Sequence, residues 1–239
     1  MSGQLVFFDI PTKDGTSWSF NPWKIRLVLN MKGIDYKTEW LEYPDIEGRL
    51  KPTGLEGDPT QIKPYTCPTV QFPDGTYIMN SAKIVKRLEA DYPEPPLNVD
   101  SELTQVAYNL VSKLADRLSP VLIPLVPRTF LSERSADYFR ETRKEFLGMT
   151  LDELEAKHGG EQAWERAYEA LDEATEQLNK TEGPFFHSDK VSWADCIYIS
   201  FLYFIKKFDE EFFKRVVERS PPLGKMWEAS APWLERKDY

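Results

Sequence analysis

Short apolar runs separated by turn-forming residues predict alternating strands and helices in the first third of the chain. The run Leu5–Ile10 ("LVFFDI") is almost wholly apolar and stops at a proline, which predicts a buried strand. Residues 36–43 alternate between apolar and polar side chains and predict a second strand. Strands at 68–72 and 77–79, joined by a Pro-Asp-Gly-Thr turn, predict a hairpin. One helix is expected between the first two strands and another after the hairpin, where Ser81 can cap it, giving β-α-β and then β-β-α.

The first helix is predicted to begin at Pro22, because Asn21 before it suits the N-cap position. One apolar face continues to Gly33, where the helix is expected to end. Ser17 and Ser19 precede this helix, where free N–H groups and the helix dipole favour an anion. An ordinary connection between a strand and a helix, with serines that add solubility, fits the same stretch.

After a proline-rich stretch at 91–100, the sequence predicts helices only. Apolar residues from Leu103 to Leu118 follow helical spacing. Three prolines are then expected to interrupt or kink this helix, at Pro120, Pro124 and Pro127. Two further helices are predicted at 132–148 and 161–180.

Ser192 and Asp195 predict the best-defined helix start of the second half. Their spacing is that of a capping box, with Asp in place of the usual Glu. The helix behind them is apolar on almost every side, so we expect it at the centre of its domain. Cys196 is accordingly expected to be a core residue and not a reactive thiol.

Composition and charge narrow the class of protein. The 239 residues carry a formal net charge of −9, which disfavours nucleic acid and acidic membrane surfaces as partners. Two cysteines and two histidines stand at no metal-binding spacing, so no metal site is expected. The N-terminus does not resemble a signal peptide, and the most apolar segment is too short to cross a bilayer. We therefore expect a reduced, cytoplasmic protein.

Four features occur in a fixed order along the chain. They are the β-α-β and β-β-α pattern, the segment 66–70 ("TCPTV"), the pair Asn80-Ser81 before a helix, and the capping pair in the helical half. In this order they resemble a glutathione transferase, from the first strand to the end of the chain. Residues 7–46 are most similar to the etherase-like branch, which includes the fungal-specific class A glutathione transferases.

The resemblance implies an α/β plus all-α protein. We expect a thioredoxin-like glutathione-binding domain at 1–92, a linker at 93–100 and a C-terminal helical-bundle domain at 101–239. It also implies glutathione as cosubstrate and a homodimer.

In the family, Pro68 would be a cis proline that turns the backbone of Thr66 and Cys67 towards glutathione. Ser81 stands where the family binds the γ-glutamyl carboxylate. Asn80 stands where the family usually has Glu or Gln, and its shorter side chain would bind the same end of the tripeptide.

The glycyl carboxylate of glutathione needs a cation. The family often places a basic residue between the second and third strands, and Lys63 is the candidate here. The loop is long, so Lys51 is an alternative.

The resemblance also places the activating residue. In the family a Ser or Cys lies seven residues before a basic position, here Arg26, which leads to Ser19. Its hydroxyl would donate a hydrogen bond to the thiolate of glutathione. Ser17 is the rival in the same loop, and Asn21 is a third candidate whose capping role competes. Serine favours attack of glutathione on an electrophile over mixed-disulfide chemistry.

The second substrate is expected between the two halves, next to Trp18, Phe20 and the helix from Leu103 to Leu118. Seven tryptophans fit a pocket for hydrophobic aromatic ligands. The expected activity is transfer of glutathione to such electrophiles, with peroxidase or β-aryl-ether cleavage as variants. The alternatives are a non-catalytic protein that binds aromatic compounds and a regulatory module that keeps only the fold.

Overall fold

A four-stranded mixed sheet forms the core of the first domain in the computed structural model, which describes residues 4–61 and 63–236. The strands are β1 (Leu5–Asp9), β2 (Tyr36–Trp40), β3 (Thr69–Gln71) and β4 (Tyr77–Met79). Their order in the sheet is β2-β1-β3-β4. The β1 strand is parallel to β2 and antiparallel to β3, and β3 and β4 form the predicted hairpin.

Helices cover this sheet and make up the second domain. The described residues form α1 (Phe20–Met31), α2 (Ile46–Leu50), α3 (Ser81–Asp91), α4 (Glu102–Thr129), α5 (Glu133–Leu147), α6 (Leu151–His158), α7 (Glu161–Leu178), α8 (Trp193–Phe208), α9 (Glu210–Arg219) and α10 (Pro221–Ala229). The thioredoxin-like domain followed by a helical domain is confirmed. None of the helices described here is long and apolar enough to cross a membrane.

The α1 helix begins two residues earlier than predicted. Its N-cap is Ser19, which has extended backbone angles, and its first helical residue is Phe20. The prediction of Asn21 as N-cap was wrong because Ser19 suits that position equally well. Pro22 still falls in the first turn, where a missing N–H leaves no helical bond unmade.

The three prolines do not interrupt α4, which runs unbroken for 28 residues. Proline cannot donate a hydrogen bond, so Pro120 leaves the carbonyl of Asp116 without its helical partner. The Ser119 hydroxyl donates to that carbonyl at 2.8 Å. Leu118, Leu122 and Val126 around the prolines are buried, and this packing holds the helix together.

The α8 helix lies at the centre of the helical domain, as predicted, with every residue from Trp193 to Ile205 buried. Its capping box is confirmed. One Asp195 oxygen accepts hydrogen bonds from the Ser192 N–H at 2.8 Å and hydroxyl at 2.6 Å. The other accepts from the Phe186 N–H at 2.9 Å. Cys196 is fully buried, which confirms its place in the core.

The two domains share a continuous core in which α1 packs against α8. The rings of Trp23 and Tyr203 lie 3.8 Å apart across this boundary. The segment between α3 and α4 is held to α1 by Lys32, whose Nζ donates to the carbonyls of Tyr92 and Pro95 at 2.7 and 2.8 Å. These contacts fix the start of α1 relative to the helical domain.

Candidate functional site

The register of the strands brings three loops to one edge of the sheet. Phe8 of β1 pairs with Thr69 of β3, and Thr69 pairs with Met79 of β4. Because neighbouring strands here are antiparallel, the end of β1, the start of β3 and the end of β4 lie side by side. The loop before α1, the segment before β3 and the start of α3 therefore begin at the same edge.

The peptide bond between Cys67 and Pro68 is cis, as the resemblance implied. No backbone hydrogen bond from a described residue reaches the Cys67 N–H or carbonyl. Both groups can therefore pair with an extended peptide. The Thr66 N–H lies 3.1 Å from the Sδ atom of Met79, which holds this segment against the end of β4. Burial raises the pKa of the Cys67 thiol well above its usual value, so the thiol stays protonated.

Asn80 and Ser81 form the start of α3. Asn80 is the N-cap and has φ of +80°, a conformation that asparagine adopts more readily than most residues. Its side-chain oxygen accepts from the Ala82 N–H at 2.9 Å, and its own N–H donates to the Pro68 carbonyl at 3.3 Å. The amide oxygen of Asn80 is thus used for capping. Ser81, the first helical residue, is half-buried.

Ser19 occupies the N-cap position of α1, but its hydroxyl accepts no hydrogen bond from an N–H group of the first turn. Its carbonyl accepts from the Trp23 N–H at 3.1 Å, whereas its side chain makes no hydrogen bond to any described residue. The N–H groups of Phe20 and Asn21 likewise have no acceptor among the described residues. A hydroxyl and two free N–H groups at a helix start together favour an anion.

Ser17 and Asn21 are less well placed for that role. Ser17 is completely buried, whereas 8% of Ser19 is exposed. Asn21 is exposed, but its side-chain oxygen accepts from Lys24 Nζ at 2.9 Å. Of the three candidates, Ser19 alone combines some exposure with a hydroxyl that has no partner among the described residues.

Lys24 is a polar residue of this site that the sequence did not single out. It is 6% exposed, and its Nζ lies 5.1 Å from the centre of the Phe20 ring and 5.6 Å from that of Tyr108 in α4. Burial lowers the pKa of Lys24 to about 8. A signal was present in the sequence, since α1 contains two cations, Lys24 and Arg26, and no Asp or Glu that could pair with them.

The two cations considered for the glycyl carboxylate differ in their contacts. Lys63 is half-buried, and its Nζ lies 5.7 Å from the centre of the Tyr138 ring in α5. Lys51 is exposed and forms an ion pair with Glu47 at 3.2 Å. Lys63 faces the helical domain next to the segment that carries Pro68, which favours it over Lys51.

Trp18 and Phe20 belong to an aromatic cluster between the domains. Trp18 is 2% exposed and stacks on Phe130 with ring centres 5.1 Å apart. Phe20 is half-buried, with its ring centre 5.4 Å from those of Phe201 and Phe204. The burial of Trp18 favours a packing role, whereas Phe20 retains surface that a ligand can touch.

A cavity of about 400 Å³ lies elsewhere, between α4, α5 and α6. It is lined by Pro127, Arg128 and Lys144 among others, and by none of the predicted site residues. Its cation Arg128 already pairs with Asp152 and Glu155. Within residues 4–61 and 63–236, no cluster of three or more His, Cys, Asp or Glu side chains could hold a metal ion.

Comparison with known proteins gives consistent matches for both domains. Residues 18–91 match the family model of the glutathione S-transferase N-terminal domain, and residues 104–233 match that of the C-terminal domain. A glutathione S-transferase-like protein, ustS of Aspergillus flavus, is 32% identical over 97% of this chain and 91% of its own length.

Two solved structures of fungal proteins share the fold along the whole chain. The glutathione S-transferase CsGST63524 of Ceriporiopsis subvermispora, crystallised with glutathione, is 30% identical with a TM-score of 0.86. Glutathione transferase GSTFuA2 of Phanerochaete chrysosporium is 31% identical with a TM-score of 0.88. Each comparison covers 99% of this chain and 100% of the other.

Proposed function

The chain belongs to the glutathione S-transferase family, and we propose that it binds glutathione and activates the thiol with the Ser19 hydroxyl. The observation that carries this proposal is the N-cap geometry of Ser19. Its hydroxyl caps no N–H group, and it lies next to two N–H donors that have no acceptor among the described residues. Such a group can donate to an anion without losing a bond that the fold needs.

Each part of the tripeptide has a proposed place at the sheet edge. The γ-glutamyl carboxylate binds at Ser81, with Asn80 beside it. The cysteinyl backbone pairs like an added strand with the N–H and carbonyl of Cys67, which make no backbone hydrogen bond to a described residue, next to Thr66. The glycyl carboxylate binds Lys63. A glutathione-bound relative that is 30% identical over nearly the whole chain supports this cosubstrate.

The chemistry follows from the stabilisation of the thiolate. A free cysteine thiol has a pKa of about 8.5 and reacts as the thiolate. A hydrogen bond donated to an anion is worth about 1.5–3 kcal/mol. At about 1.36 kcal/mol per pKa unit, Ser19 would lower the thiol pKa by about one to two units.

The thiolate then attacks an electrophile bound between the domains. A C–S bond forms, and the leaving group departs with its electron pair. Hydrophobic aromatic electrophiles are the proposed substrates, because half-buried Phe20 and the aromatic cluster behind it lie next to Ser19 in the chain and in space. Reduction of hydroperoxides and cleavage of β-aryl ethers use the same thiolate.

The test is the titration of bound glutathione by thiolate absorbance. We expect the wild-type protein to lower the thiol pKa below that of free glutathione, and Ser19→Ala to return it by about one to two units. Ser17→Ala is the matched control, since it removes a fully buried hydroxyl from the same loop. An unchanged titration in Ser19→Ala would show that this serine does not stabilise the thiolate.

A substrate screen separates catalysis from ligand binding. It would contain an aromatic electrophile, a hydroperoxide and a β-aryl ether, each with glutathione. Product formation that falls in Ser19→Ala supports the enzyme. Tight binding of the aromatic compound with no product would instead support the ligand-binding alternative. The cytoplasmic location and the homodimer stay predictions, the second of which sedimentation equilibrium would test.

A further inference from the structure

Lys24 is a buried cation without a carboxylate partner among the described residues. Its side chain is in the second turn of α1, and 6% of the residue is exposed. Its one hydrogen bond in the described part of the chain goes to the neutral Asn21 side chain at 2.9 Å. A buried charge normally has a partner of opposite charge, because removal from water is costly.

The pKa of Lys24 reflects this environment. Burial lowers it to about 8, and burial is the sole cause, so no neighbouring charge offsets it. The titratable group that faces Lys24 from another described element is Tyr108 of α4. At neutral pH the ammonium form still predominates, and an anion placed beside it would be strongly held.

The neighbours of Lys24 connect it to the proposed glutathione site. Two neighbours are Phe20 and Asn21, whose N–H groups have no acceptor among the described residues. Tyr108 of α4 is a further neighbour, with its ring centre 5.6 Å from Lys24 Nζ. Burial raises the pKa of Tyr108, and polar contacts from the side chains of Trp193 and Ser81 partly oppose that rise. One tyrosine therefore borders both the Lys24 ammonium and the Ser81 hydroxyl.

We infer that Lys24 is a further glutathione-binding residue, which together with Ser81 holds the α-carboxylate of the γ-glutamyl group. This inference rests on the proposed function. A carboxylate between Lys24 and Ser81 would give the buried ammonium its missing counter-charge. The Asn80 side chain is neutral, so it can donate a hydrogen bond to this carboxylate but cannot supply a counter-charge, and its oxygen accepts from the Ala82 N–H.

Two consequences distinguish this role from simple packing. Loss of the charge in Lys24→Met should weaken glutathione binding by about 10- to 100-fold, the range for a hydrogen bond to a charged group. Binding at pH 8 should also take up as much as about half a proton, because carboxylate binding raises the pKa of a half-protonated lysine. Affinity should accordingly fall as the pH rises above about 8.

The experiment is titration calorimetry with S-methylglutathione, which has no thiol to titrate, in buffers of different ionisation enthalpy. Lys24→Met should lose both affinity and proton uptake. Lys24→Arg keeps a cation that does not titrate, so it should retain most of the affinity and lose the uptake. Lys83→Met is the matched control, because it removes an exposed lysine near the start of α3.

A second ligand identifies the carboxylate. The 4-aminobutanoyl analogue of S-methylglutathione lacks the α-carboxylate and keeps the rest of the tripeptide. Lys24→Met should bind this analogue as well as the wild type does. Equal loss for both ligands would overturn the inference, as would an unchanged affinity of Lys24→Met for S-methylglutathione. An effect confined to acidic second substrates would also overturn it. A wild-type protein that binds no glutathione derivative would contradict the proposed function itself.

Discussion

The capping boxes of α6 and α8 should respond to pH in opposite directions. Asp195 closes the buried box of α8, whereas Glu153 closes the exposed box of α6. Burial raises the pKa of Asp195 to about 6, although the hydrogen bonds it accepts act the other way. Hydrogen bonds from Thr150 lower the pKa of Glu153, which has little burial to oppose them. The same motif thus has an acid with a raised pKa in α8 and an acid with a lowered pKa in α6.

The sign of the effect follows from proton binding. Between about pH 4 and pH 6, the folded protein holds a proton on Asp195 that the unfolded chain has released, so stability falls as the pH rises. A rise of about two units from the usual value of about 3.9 corresponds to roughly 3 kcal/mol. That contribution is fully present below pH 4 and is lost as the pH rises through about 6.

The assay is urea unfolding of the wild type and Asp195→Asn from pH 4 to pH 7. Asn does not titrate, so the difference in free energy of unfolding isolates this carboxyl group, provided the other groups contribute equally to both. The wild type should gain roughly 2–3 kcal/mol relative to the variant as the pH falls. Glu153→Gln is the control, and its difference should change in the opposite direction. A wild type that loses stability relative to Asp195→Asn on acidification would refute the reasoning, because hydrogen bonding would then outweigh burial.

Two further predictions concern the elements that support the site. Asp9→Asn should destabilise the protein by about 3–5 kcal/mol in urea unfolding, because Arg26 would lose its buried charged partner at 2.7 Å. The double variant Asp9→Asn with Arg26→Met should recover part of that loss, because it removes the unpaired charge as well. If the double variant were no more stable than Asp9→Asn, the unpaired charge of Arg26 would not be the cause of the destabilisation. Ser119→Ala should cost about 0.5–1.5 kcal/mol by thermal unfolding, because the Asp116 carbonyl loses its donor. Ser112→Ala, at an exposed position of the same helix, should have little effect, and equal losses in both would show that the Ser119 bond is not needed.

Local signals in the sequence were sufficient to predict the elements whose ends are set by residues a few positions apart. The hairpin followed from its Pro-Asp-Gly-Thr turn, in which Gly75 has φ of +88°. The α8 helix followed from the capping pair Ser192 and Asp195. In both cases the residues that decide the structure are within a few positions of each other, so the pattern alone carries the information.

Other features depended on competition between residues for the same position or on contacts between residues distant in the sequence. Ser19 and Asn21 are both good capping residues, and local preference could not rank them. The choice of Ser19 follows from packing, since Phe20 in the first turn contacts aromatic rings of α8. The continuous α4 helix was missed for a related reason, because burial of the residues around Pro124 offsets a strong local preference against helix.

The three cations in α1 and at its C-cap show most clearly what sequence periodicity cannot supply. Lys24 and Arg26 of α1, and Lys32 at its C-cap, are charged residues that would ordinarily face solvent, yet all three side chains are buried, because α1 lies between the sheet and the helical domain. Arg26 pairs with Asp9 and Lys32 pairs with Glu89, each partner coming from another element. Lys24 is buried as they are, but no Asp or Glu of the described residues forms an ion pair with it. Since the fold supplies counter-charges for the other two, the third is the position at which an external carboxylate would complete the site.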